Sequence, residues 1–172
     1  MFDKMEAERQ LLIDDLNTLS DDLLVKKPSD DAWSVVEVTL HLTKAEEGAL
    51  KYMQIKLHHG GHKKSSFTAG LKQKFLNLAV SLPIKYKAPN VIKLDEGGPV
   101  SYSEARAKWD EVRAGLRREY ETIDEKFIEN ELFKHPAAGK MNLIQSVKFM
   151  RQHMNRHIGQ IQRTLKTVGT AI

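Results

Sequence analysis

Four stretches of this chain place apolar residues at i, i+3, i+4 and i+7, and no stretch shows a credible period of two. The first runs from about Phe2 to Val25, with Met5, Leu12, Leu16, Leu19 and Leu23 on one face. Ser20-Asp21-Asp22 either interrupts it or caps a short second piece. Lys27-Pro28-Ser29-Asp30-Asp31 is a connection, because proline and the polar residues after it break helices. The second helix is predicted from Ser34 as N-cap, with Glu37 three residues on completing a capping box, to about Leu57. Its inward stripe is Val38, His41, Leu42, Ala45, Ala49 and Met53. A third begins at Ser101 or Ser103 and runs to about Phe127, carrying Ala105, Trp109, Val112, Leu116, Tyr120 and Ile123 on one stripe. The last starts near Asn142 and ends near Val168, before Gly169. Its stripe reads Leu143, Val147, Met150, His153 or Met154, His157, Ile161 and Leu165.

Each stripe must be buried against another element, so four amphipathic helices without strands predict an all-α bundle. The length, 172 residues, suits one domain over 1–172 with a sizeable core. Between the second and third main helices the periodicity weakens. Residues Phe67 to Leu82 read as a short helix, while Pro83–Pro89 and Glu96–Pro99 read as extended or looped. The expectation is a long, partly irregular insertion, and loops of that length are often functional. Phe133–Lys140 reads as a further loop.

Several function classes are excluded or disfavoured by composition. The chain has no cysteine, so disulfides and thiolate ligands are ruled out and any metal must be held by nitrogen and oxygen. No apolar run approaches the roughly 20 residues that span a bilayer. The N-terminus lacks a signal-peptide pattern, so the expected location is cytoplasmic and no membrane partner is expected. The net charge of +4 is scattered, and only His58-His59-Gly60-Gly61-His62-Lys63-Lys64 is densely basic. Nucleic-acid modules concentrate such charge on one face, so no nucleic-acid partner is expected.

The histidines carry the chemistry. His153 and His157 stand four apart, which projects both imidazoles from one face of the last helix. His41 lies on the inward stripe of the second. A lone inward histidine is ordinarily a satisfied core residue. Three together leave several ring nitrogens to satisfy, at about 1–3 kcal/mol for each one left without a partner. A divalent metal would accept a lone pair from each and keep an open position. Spacing alone leaves the two readings equally open.

The order of motifs adds a resemblance. Trp33-Ser34-x-x-Glu37-x-x-x-His41-Leu42 is similar to the second-helix signature of the DinB-like superfamily. His135-Pro136-Ala137-Ala138-Gly139-Lys140-Met141-Asn142, followed by His153-x-x-x-His157-Ile158-x-Gln160-Ile161, resembles its C-terminal signature. Ala88-Pro89 before the third helix also fits. The resemblance implies a four-helix bundle of unusual helix order holding one divalent metal, zinc or nickel, on His41, His153 and His157. Characterised relatives include thiol S-transferases using bacillithiol and a mycothiol-dependent isomerase. A low-molecular-weight thiol is therefore an implied second cofactor, and a small molecule the implied substrate.

Three further residues are candidates for supporting roles. Glu37, one turn before His41, could orient that imidazole, against its capping-box role. Gln160, three residues after His157, could bond a metal-bound water or substrate, against an exposed position on the helix flank. His135 could transfer protons at the site mouth, against a plain loop-capping role. The expected function is that of a metal-dependent hydrolase or thiol S-transferase acting on a small electrophile. The alternative is a non-catalytic, metal-stabilised bundle serving as a dimeric interaction or stress-response module, with a homodimer formed through the first and third helices.

Overall fold

The computed structural model describes residues 1–59, 63–64, 101–135 and 139–170. The predicted insertion, including the short helix at 67–82 and Ala88-Pro89, lies outside the described residues apart from His58, His59, Lys63 and Lys64.

Helix α1 spans Phe2–Leu16 and α2 spans Asp21–Val25. The break falls where Ser20 takes an extended backbone ahead of Asp21 and Asp22, whose negative charges suit the first turn of a helix. The first stretch is thus two helices, and Ser20 stands at the N-cap position of the short second piece. Helix α3 spans Val35–His59. Glu37 N–H donates to Ser34 Oγ at 3.2 Å, and Ser34 N–H donates to Glu37 Oε2 at 2.8 Å, the predicted capping box. Helix α4 spans Tyr102–Thr122, with Ser101 and Glu104 closing a second box. It stops five residues short of the predicted Phe127, because Ile123 turns extended and a single 3-10 turn, Glu125–Phe127, follows. Helix α5 spans Leu143–Val168 and ends at Gly169, whose φ of 111° is left-handed backbone that suits glycine.

The expectation of no strands needs correction. Strands β1 (Phe133–His135) and β2 (Gly139–Met141) form a small antiparallel sheet that pairs Phe133 with Met141 and His135 with Gly139. Three residues per strand are too few to show alternation in sequence. Phe133 and Met141 are buried beneath the pair and Lys134 is exposed, as a pleat requires.

Helix α3 is central, packing against α2, α4, α5 and β1. The core draws Phe2, Met5, Leu12 and Leu16 from α1, and Val38, Leu42, Ala49 and Met53 from α3. Helix α4 adds Ala105, Trp109 and Leu116, and α5 adds Val147, Met154, Ile161 and Leu165. Burying each large apolar side chain contributes about 1.5–3 kcal/mol. No described helix is long and apolar enough to cross a membrane.

The cap on α5 matters because this helix carries two of the three histidines. Asn142 Oδ1 accepts from Gln145 N–H at 2.9 Å, and Gln145 Oε1 accepts from Asn142 N–H at 3.0 Å. Asn142→Ala is expected to cost about 1 kcal/mol, read as a lower urea midpoint with unchanged slope. An unchanged midpoint would show that the cap contributes nothing.

Candidate metal centre

Helix phasing sends His41 inward from α3 and His153 and His157 inward from α5, and the packing of those helices brings the rings together. The Nε2 atoms of His153 and His157 are 3.1 Å apart, and those of His41 and His153 are 3.4 Å apart. The His41 and His157 ring centroids stand 4.7 Å from each other. One ring nitrogen from each residue lies within 4.8 Å of the other two.

This convergence suits a cation better than hydrogen bonds among neutral rings. His153 Nε2 offers either one proton or one lone pair, yet it faces two other ring nitrogens. On His157 the tautomer is set locally. Its Nδ1 lies 2.9 Å from Gln160 Oε1, and an amide oxygen only accepts, so the proton is on Nδ1 and the Nε2 lone pair is bare. Three nitrogens each about 2.1 Å from one ion would stand about 3.0–3.4 Å from one another, which matches both short separations. The donor set is all nitrogen, as the absence of cysteine requires. On these observations the three histidines fit a divalent metal. His41 Nδ1 is buried and has no hydrogen-bond partner among the described residues.

The electrostatics favour unprotonated rings. Burial lowers the pKa of His41 to about 4. His157 is also lowered to about 4, by burial first and then by His41, while its Gln160 bond opposes the shift. His153 is held well below the ordinary value, by burial first and then by His157, His41, His135 and Arg156. Lone pairs are thus available at neutral pH, which is the form a metal requires.

Aromatic rings wall the site. Trp33 packs on His41 with centroids 4.9 Å apart, and Phe149 stacks on His153 at 5.9 Å and 8°. His135, on β1, packs its ring 4.6 Å from Phe149. The hairpin therefore brings His135 to the edge of the trio behind Phe149, and burial lowers its pKa. Of the other candidates, Gln160 bonds a histidine directly, so its role is to orient His157 and set its tautomer. Glu37 divides its carboxylate between the Ser34 N–H and Lys27 Nζ at 2.7 Å, so its bonds are those of the cap. Phe149 was not singled out from sequence. It stands four residues before His153 on the same helix face, and that spacing was the available signal.

A second group of buried polar residues went unread in the sequence. Glu46 and Arg113 are 1% and 2% exposed. Arg113 Nε and Nη2 donate to the two carboxylate oxygens of Glu46, each at 2.6 Å. Trp109 Nε1 donates to Glu46 Oε2 at 2.8 Å. The signal was phase: Glu46 follows Leu42 by four and Arg113 follows Trp109 by four, so opposite charges stood on two inward stripes. Arg151 Nε donates to Glu8 Oε2 at 2.8 Å and ties α5 to α1.

A helical bundle whose interior gathers three histidines able to hold a metal ion defines a class of protein, and comparison with known proteins gives it a family. The DinB superfamily model matches residues 4–161, and the chain belongs to that superfamily. It is also similar to the uncharacterised protein YuaE of Bacillus subtilis (strain 168), at 27% identity over 157 residues. That alignment covers 91% of this chain and 92% of YuaE. No solved structure matches it.

Proposed function

We propose that His41, His153 and His157 bind one divalent metal ion through Nε2, and that the protein is a metal-dependent hydrolase or thiol S-transferase acting on a small electrophile. The observation that carries this reading is the convergence of three Nε2 atoms from two helices with short separations of 3.1 and 3.4 Å. When bound, a divalent ion with an open position lowers the pKa of a ligated water towards about 7 and deprotonates a ligated thiol. Zinc and nickel both suit three imidazoles.

The chain's own residues would do the rest. Gln160 holds His157 in the Nε2 lone-pair tautomer. Trp33 and Phe149 fix the rings of His41 and His153 by packing and keep water from their flanks. His135 stands one ring further out, where an imidazole is suited to carry a proton between the site and solvent.

The test begins with metal-free protein equilibrated with zinc, nickel or cobalt(II). One equivalent per chain is expected, and His157→Ala should weaken binding on the order of 100-fold or more, because a lost ligand exceeds the 10–100-fold effect of an outer partner. No stoichiometric uptake, or equal affinity in the variant, refutes the metal. Thiol cofactors and hydrolysable esters then decide between transfer and hydrolysis. Gln160→Leu is expected to weaken metal binding about 10–100-fold without unfolding the chain, as measured by chelator competition. Undiminished affinity would show that the His157–Gln160 bond plays no part.

A further inference from the structure

The guanidinium of Arg113, on α4, touches a side chain from each of the other three long helices. Its Nη1 donates to Glu6 Oε1 on α1 at 2.6 Å. Its Nε and Nη2 grip both oxygens of Glu46 on α3. The same Nη2 lies 3.4 Å from Met154 Sδ on α5. Glu46 is five residues beyond His41, and Met154 is the neighbour of His153. Helices are stiff over such spans, so whatever fixes Glu46 against Met154 also fixes His41 against His153. A slip of one residue is about 1.5 Å along the axis, which the 3.4 Å gap between the His41 and His153 Nε2 atoms does not tolerate.

We propose that Arg113 is a positioning residue for the three-histidine site, setting the height and rotation of α3 against α5 through Glu46 and Met154. The planar fork is essential to this role. Two parallel bonds to one carboxylate fix direction as well as distance, and a lysine ammonium supplies charge without that plane. This inference rests on the metal-binding reading above.

Cobalt(II) is the probe, because its visible absorption reports ligand number and geometry independently of any activity. Wild type, Arg113→Lys, Glu46→Gln and a core control, Leu12→Ala, are titrated. Leu12 is buried in α1 and belongs to the apolar core. Binding on the order of tenfold weaker with an altered spectrum is expected for Arg113→Lys and Glu46→Gln. The control should lose stability yet keep the wild-type spectrum and affinity. Wild-type affinity and spectrum in both joint variants overturn the inference, as does an equal change in the control. Should Arg113→Lys not fold, the near-isosteric Glu46→Gln decides. No cobalt uptake by wild type means instead that the histidine reading has failed, and the inference falls with it.

Discussion

Replacing Glu46 with leucine is expected to cost about 3–5 kcal/mol, because it leaves the Arg113 guanidinium in the core with half its hydrogen bonds gone. Against the roughly 5–15 kcal/mol that holds a domain together, this is a large share. The size of the loss comes from desolvation rather than from attraction. Arg113 is 2% exposed and cannot recover hydration without opening the bundle. Trp109 Nε1 would lose its acceptor as well. The double variant Glu46→Leu/Arg113→Met should regain much of the loss, since two apolar side chains of similar volume need no pairing. It should not regain all of it, because the Trp109 N–H stays without its acceptor at about 1–3 kcal/mol, while Glu6 keeps its ion pair with Arg9. Urea unfolding of the four members of the cycle measures this directly. A double variant as unstable as the two singles combined would show that the pair is not coupled.

The second large effect is acid sensitivity. In the unfolded chain histidine titrates near 6.5. In the fold His41 and His157 titrate near 4, and His153 is also held well below its ordinary value. Above about 6.5 all three are neutral in both states, and their stability contribution is fully present. As pH falls towards 4 the unfolded chain takes up protons that the fold refuses, so stability falls. The slope has that sign because the unfolded state binds more protons. A 6.5-to-4 shift corresponds to about 3 kcal/mol for each of His41 and His157. Metal-free protein is therefore expected to lose its helical signal between pH 6.5 and 4 in circular dichroism. Bound metal should move the loss to lower pH, because it adds competition for the same lone pairs. Full helicity down to pH 4 in the metal-free protein would contradict the burial on which the site depends.

Much of the bundle was legible in the order of the residues. The stripes of α3, α4 and α5 predicted Leu42, Met53, Trp109, Leu116, Val147 and Ile161 as core, and all six are buried. Ser34 and Asn142 marked the starts of α3 and α5, because a capping side chain acts on backbone within three residues of itself. The ring histidines were legible as inward for the same local reason. The hairpin was not, because strands of three residues hold too few positions to reveal a period and gain their stability from pairing across the chain.

Sequence alone therefore determined the main helices, their inward faces and the availability of three imidazoles, all set by interactions a few residues long. Only the tertiary structure decided that His41 meets His153 and His157, and that Glu46 closes on Arg113. Those contacts join residues up to 116 positions apart, from His41 to His157. They depend on the height and rotation at which rigid helices pack, and helical phase specifies which face is buried without specifying what it meets.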